Sequence, residues 1–156
     1  MTVGKAAEFS IQRVGSDDLA DLLPLMRAYC HFYEVEPSDQ ALLDLASALI
    51  ADPECEGVQL LARDSSERAV GFATLYWSWS TTEACRIAVM NDLFVAPSAR
   101  GRGLAERLIA ACRSESSRRG ARRLSWQTAV DNKRAQNVYE RVGATRETWV
   151  DYWLDP

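Results

Sequence analysis

The chain has 156 residues, 47% apolar and 26% charged, and a formal net charge of −4, which leaves room for one domain with a real core and little for two. No stretch approaches the roughly 18 uninterrupted apolar residues of a membrane span. The N-terminal MTVGKAAEFS lacks the apolar core of a secretory signal, so a cytoplasmic protein with no membrane partner is expected.

The elements follow in order. EFSIQRV (8–14) alternates apolar and polar positions and predicts a strand. Ser16 and Asp17 are N-cap candidates for the helical pattern LADLLPLMRAYCHFY, with Pro24 predicting a break or kink. Ser38 or Asp39 caps a second helix, QALLDLASALIAD, which Pro53 closes. GVQLLAR (57–63) predicts a strand and DSSER a polar turn. AVGFATLYWSWS (69–80) and CRIAVMNDLFV (85–95) read as a long antiparallel hairpin. A helix then runs to about Arg119, with Leu104, Leu108, Ile109 and Cys112 on one face and Gly120 as its C-cap. RRLSWQTAV (122–130) predicts a strand, DNKRAQNVYERVG (131–143) a short helix, and TRETWVDYWL (145–154) a final strand. The order β-α-α-β-β-β-α-β-α-β points to an α/β fold with a mixed sheet. No repeat or linker divides it, so one domain over 1–156 is expected.

Several chemistries have nothing to build on. Cys30, Cys55, Cys85 and Cys112 are dispersed and form no C-x-x-C pair, so reduced, mostly buried thiols are expected rather than a zinc knuckle or a disulfide framework. His31 is the single histidine, so neither a catalytic triad nor a multi-histidine metal site is expected, and no metal is assigned. No Walker or G-x-S-x-G pattern occurs.

Charge is unevenly spread. Residues 1–62 hold eleven Asp/Glu against three Lys/Arg, whereas residues 97–146 hold twelve Lys/Arg against four Asp/Glu. Two solvated surfaces would explain this; so would a polyanionic ligand on the basic half and a cationic one near the acidic half. The arginines of RSESSRRGARR (113–123) complement a helix C-terminus, and a solvated helix end accounts for them without nucleic acid as a partner. Trp77 and Trp79 share one face of a strand, suited to core or dimer packing or to the wall of a pocket.

The segment FVAPSARGRGLAERLI (94–109) carries the most chemistry. A strand ending at Val95, a turn with Gly101 and Gly103, then a helix, is an arrangement that binds phosphates. Unpaired N–H groups at a helix N-terminus attract an anion, glycine lets the backbone approach it, and Arg100 and Arg102 add charge. A plain turn with glycines chosen for conformation is the alternative on G-x-G alone.

The string Arg100-Gly101-Arg102-Gly103-Leu104-Ala105 resembles the R/Q-x-x-G-x-G/A signature of the GNAT superfamily of acyl-CoA N-acyltransferases. NDLFVAPSARGRG looks like that family's fourth strand and pyrophosphate loop. DNKRAQNVYERVGA resembles its N-x-x-A-x-x-x-Y-E-x-x-G motif, at the family's separation. The resemblance implies a single-domain α/β GNAT-like fold, with a central, mixed, mostly antiparallel sheet flanked by helices. It also implies acetyl-CoA as co-substrate, without a metal, and direct transfer of the acetyl group to a primary amine.

By the same resemblance, Leu93, Phe94 and Val95 would line the pantetheine arm and pair with its amides as an added strand would. Gly101, Arg102, Gly103, Leu104, Ala105 and Glu106, with Arg100 before them, would cradle the pyrophosphate. Asn132 would bond the arm, and Tyr139 would protonate the departing thiolate. On helical spacing alone, Tyr139 shares a face with Ala135, Val138 and Val142 and could equally be core.

The general base is less defined. Some polyamine-acetylating relatives carry a glutamate where Asn91 stands, and an amide cannot accept the proton. Asp92 is adjacent but faces the other side of a regular strand; it would act as the base or tie down a neighbouring backbone group. Glu34 and Glu36, between the first two helices, are the candidates to face a cationic small-molecule acceptor, and water could carry the proton. A catalytically silent acyl-CoA-binding module is the alternative function, and a nucleotide binder the next. Aromatic-rich terminal strands also suggest a homodimer.

Overall fold

The computed structural model describes residues 8–156. The first seven residues, which belong to the N-terminal stretch discussed above, lie outside the described part. Five strands form one sheet in the order β1 (Phe9–Arg13), β2 (Gly57–Asp64), β3 (Ala69–Ser80), β4 (Cys85–Val95), β5 (Arg123–Ser125). The first four are antiparallel neighbours and β4–β5 is parallel. This is the mixed, mostly antiparallel sheet expected.

Helices α1 (Leu19–Phe32) and α2 (Asp39–Ala51) cover one face; α3 (Leu104–Arg118) covers the other, next to α4 (Lys133–Arg141). The period-2 alternation of β2 and β3 feeds both layers. Leu60, Ala62, Ala73 and Leu75 pack toward α3 with Leu104, Leu108 and Ile109. Leu61 and Phe72 pack toward α1 and α2 with Leu22, Met26, Leu42 and Ala46. Ser38 caps α2, its Oγ accepting from Ala41 N–H at 3.2 Å. Gly103 and Gly120 flank α3 at φ 75° and 77°, a region that favours glycine.

Three expectations need correction. Helix α1 runs continuously through Pro24, which removes only the hydrogen bond to the carbonyl four residues earlier. The strand expected over 122–130 pairs only at Arg123–Ser125, because β4 leaves it after Val89. The final strand expected over 145–154 is not formed. That segment finds no ladder partner among the described residues, and its Trp149, Tyr152 and Trp153 are at least 80% exposed. All four cysteines are free, with Cys85 and Cys112 buried and Cys55 exposed.

Candidate active site

The site begins with an irregularity in β4. Thr74 pairs with Asp92 and Leu75 with Met90, so Asn91 is an extra residue, a β-bulge. The bulge inverts the facing of the strand. Met90 packs on the α3 side, whereas Phe94 packs on the α1 side; in an uninterrupted strand the two would share a face. Asp92 thereby comes against Tyr29 of α1.

Beyond the bulge, β4 and the chain after β5 separate. Ala96 N–H donates to Val70 O at 2.8 Å. Alternation along an antiparallel ladder then turns the main-chain groups of Leu93 and Val95 away from β3. They face the side where the parallel pairing has stopped, its last pair being Val89 with Ser125. Part of this edge is used, since Val95 O accepts from Arg100 Nε at 2.9 Å.

A cleft of about 610 Å³ occupies the gap. One wall is Leu93, Phe94 and Val95; the opposite wall is Thr128 and the α4 residues Ala135, Val138 and Tyr139; the floor is the α3 N-terminus at Gly101, Gly103, Leu104, Ala105 and Glu106. Gly101 and Gly103 have φ near +75°, and a Cβ on either would meet nothing within 4 Å among the described residues. The glycines are needed for backbone conformation, and the space above them is open to a ligand.

Charge follows the same pattern. Burial, and the approach of Arg134, push the Arg100 guanidinium below its usual range. Two cations brought together favour an anion beside them. Glu106, in the first turn of α3, is held low in pKa by Arg141, whose Nη2 lies 2.6 Å from Oε1.

Tyr139 is half-buried, its ring set edge-on to Trp126 at 5.2 Å between centroids. Burial pushes its hydroxyl pKa up, with Tyr33 adding to the rise and Thr128 opposing it. It is therefore protonated at neutral pH and able to donate. Asn132 caps α4, its Oδ1 accepting from Ala135 N–H at 3.2 Å, and it also lines the cleft.

Asp92 lies behind the cleft wall. Burial raises its pKa, opposed by the Thr74 and Tyr29 hydroxyls and by the Asn91 amide, whose Nδ2 donates at 3.0 Å. Tyr29 itself lines the cleft and stays neutral, since burial and the Asp92 charge raise its pKa.

The sequence-predicted residues divide accordingly. Leu93 to Val95, Arg100, Gly101, Gly103 to Glu106, Asn132 and Tyr139 meet in one cleft. The Arg102 side chain is turned aside, bonded to Glu8 at 2.6 Å and stacked over Phe9. Glu34 and Glu36 are exposed and outside the cleft lining, although the preceding Phe32 and Tyr33 line it. Trp77 is anchored by Nε1 to Pro53 O at 2.8 Å, and Trp79 is exposed beneath Arg86. Tyr29, Arg134 and Arg141 line the cleft and were not anticipated. The arginines are two turns apart on α4, a spacing that puts them on one face.

The sequence matches the family model described as Acetyltransferase (GNAT) family over residues 21–144. The chain belongs to the GNAT acetyltransferase family. Among relatives, the Bacillus subtilis N-acetyltransferase YhfO is 33% identical over 147 residues, covering 94% of this chain and 97% of that one. The Bos taurus thialysine N-epsilon-acetyltransferase is 26% identical, covering 92% and 88%. A solved probable acetyltransferase superposes with a TM-score of 0.82 at 28% identity, covering 94% and 97%. The fold is also that of AAC(6')-Iy in complex with a CoA bisubstrate analogue, at TM-score 0.81 and 22% identity, covering 95% and 98%. This GNAT chain is thus an N-acetyltransferase. No helix among the described residues is long and apolar enough to cross a membrane.

Proposed function

We propose that this enzyme transfers the acetyl group of acetyl-CoA directly to the primary amine of a small cationic acceptor. The observation that carries the co-substrate is the cleft itself. A sheet edge without a strand partner among the described residues leads to a helix N-terminus with two open glycines and a pair of arginines. An extended amide-bearing arm ending in a pyrophosphate fits that sequence of groups. Leu93 and Val95 would pair with the arm, Gly101 to Glu106 and Arg100 would hold the pyrophosphate, and Arg134 would add charge. Asn132 would steady the arm from α4.

The reaction forms a C–N bond and breaks the thioester C–S bond. Main-chain N–H near Val95 would polarise the carbonyl as charge builds on its oxygen. Tyr139, kept protonated by burial, would give its proton to the leaving sulfur. The amine must first lose a proton. Asp92 would receive it through the Tyr29 hydroxyl, which lines the cleft, lies beside the carboxylate and sits 3.4 Å from Asn91 O. The names of the thialysine and aminoglycoside acetyltransferase relatives support an amine acceptor. The acidic N-terminal half, with Glu34 and Glu36 near the mouth, supports a cationic one.

Thiol release from acetyl-CoA across a panel of amines tests the proposal. Turnover with polyamines, aminoglycosides or lysine analogues is expected. Acetyl-CoA binding without turnover on any amine would leave only a silent binding module.

The exposed C-terminal aromatics support a homodimer. Trp149, Tyr152 and Trp153 would bury roughly 450–750 Å² per protomer, close to the ~800 Å² per partner of a standard interface. Sedimentation should give a dimer that Trp149→Ser/Trp153→Ser converts to a folded monomer; a wild-type monomer would refute it. Four free cysteines, one exposed, support a reducing, cytoplasmic compartment.

A further inference from the structure

Gln59 of β2, Thr74 of β3 and Asp92 of β4 stand directly opposite one another across three adjacent strands. They interrupt a sheet face otherwise packed with Leu, Met and Phe against α1 and α2. Gln59 is 3% exposed and Thr74 fully buried. A polar row in such a place is costly unless its members satisfy one another.

The hydrogen bonding has a direction. Gln59 Nε2 donates to Thr74 Oγ1 at 3.1 Å, and the Thr74 hydroxyl adjoins the Asp92 carboxylate. An ionised carboxylate can only accept, so the Thr74 hydroxyl opposite it on the ladder can serve it only as a donor, which leaves its oxygen to accept from Gln59. With Asp92 ionised, the row has a single orientation. Gln59 Oε1 meanwhile has no partner among the described residues. A buried amide with one unsatisfied end is a poor stabilising device, so stability alone does not account for glutamine here.

The other groups facing Asp92 cannot take over this task with a charge. Tyr29 and Cys30 come from α1 and Tyr76 from β3. Each is kept protonated by burial and by the Asp92 charge. No cation faces the carboxylate among the described residues, so its ionised form depends on neutral groups: the Asn91 amide, which donates to it at 3.0 Å, and the adjoining hydroxyls of Thr74 and of Tyr29, the latter also 3.4 Å from Asn91 O.

We propose that Gln59 is a positioning residue for Asp92, acting through Thr74. The amide fixes the hydroxyl as a donor, and the hydroxyl holds the carboxylate in its proton-accepting state. A residue on β2, two strands from the cleft wall, thus sets the pH range in which the amine is deprotonated. The catalytic consequence rests on the proposed role of Asp92 as base; the row itself does not.

The test measures the Asp92 titration directly, by ¹³C carboxyl NMR, alongside the pH dependence of kcat/KM. Thr74→Val removes the hydroxyl proposed to donate to the charged form. The Asp92 titration and the acidic limb should both move to higher pH, by about one to two units. Gln59→Met removes the orienting donor and the orphaned oxygen together, so it should shift both in the same direction by less, without lowering Tm. Thr74→Ser, which keeps the hydroxyl, should restore the wild-type titration. If Thr74→Val fails to fold, Gln59→Met decides.

An Asp92 titration unmoved in Gln59→Met, or in folded Thr74→Val, overturns the proposal. An acidic limb that persists in Asp92→Asn overturns the base instead, and the NMR titration still judges the row. The two failures are thereby distinct.

Discussion

Helix α3 contains an internal control for the pyrophosphate cradle. Gly103 precedes its first turn at φ 75° and Gly120 follows its last at φ 77°, and a Cβ at either would meet nothing within 4 Å. Gly103 lines the cleft; Gly120 does not. Substitution by alanine therefore imposes the same backbone cost at both ends, about 1–2 kcal/mol for a left-handed L-residue. For a chain of this size that is a loss of roughly 2–8 °C in Tm. Neither change creates a clash among the described residues, so a further effect is assigned to what approaches from outside.

At Gly103 the added methyl projects where the pyrophosphate is proposed to lie against the N–H groups. Gly103→Ala should weaken CoA binding by about tenfold or more, roughly 1.4 kcal/mol. Gly120→Ala should leave it unchanged. Calorimetric unfolding of the two variants gives the first number and isothermal titration with CoA the second. Equal destabilisation with equal CoA affinity would remove the α3 N-terminus from the binding site, whatever the sequence motif implies. Unequal destabilisation would show that the two ends are not equivalent and void the comparison.

Tyr139→Phe should keep CoA affinity and lower kcat by on the order of 10²-fold when chemistry limits the rate; unchanged turnover would make Tyr139 a packing residue only. Arg134→Ala should weaken CoA binding and flatten its dependence on ionic strength, measured by titration at low and high salt. Glu34→Gln and Glu36→Gln, exposed and outside the cleft lining, should raise the KM of a cationic acceptor by no more than a few-fold, and only at low salt. Asp92 has its pKa raised by burial, so the folded state binds more protons than the unfolded one just above the ordinary carboxylate range. Stability should fall as pH rises through that window. Asp92→Asn should abolish that decline while lowering kcat/KM, as read by calorimetry across the window; an unchanged pH dependence of Tm would contradict the burial argument.

Legibility in the sequence followed the source of each signal. Strands β2 to β4 and helices α2 to α4 carry their own period and their own caps, and these appear within a few residues of the expected places. Residues 126–130 carry a strand pattern but find no ladder partner among the described residues, because pairing is decided by β4, which turns away after Val89. The 145–154 segment likewise has alternation without a ladder among the described residues. Local propensity cannot report a missing neighbour. Arg134 and Arg141 were illegible for the opposite reason. On an amphipathic helix two arginines read as solvent-facing, and only the position of α4 beside α3 brings them to the cleft.

The bulge at Asn91 explains both the largest gain and the largest gap. In CRIAVMNDLFV two polar residues stand side by side between Met90 and Leu93, which strict alternation does not permit on a half-buried strand. An extra residue reconciles them. Asn91 is left exposed, Asp92 turns toward α1, and Leu93 and Val95 present main-chain groups to the cleft. A regular strand would have sent Asp92 to the α3 side, among Leu104, Leu108 and Ile109. There a carboxylate would have had no hydroxyl row to meet and no tyrosine leading to the cleft. The adjacent polar pair therefore marks the point where one strand stops serving only the core and begins to serve the site.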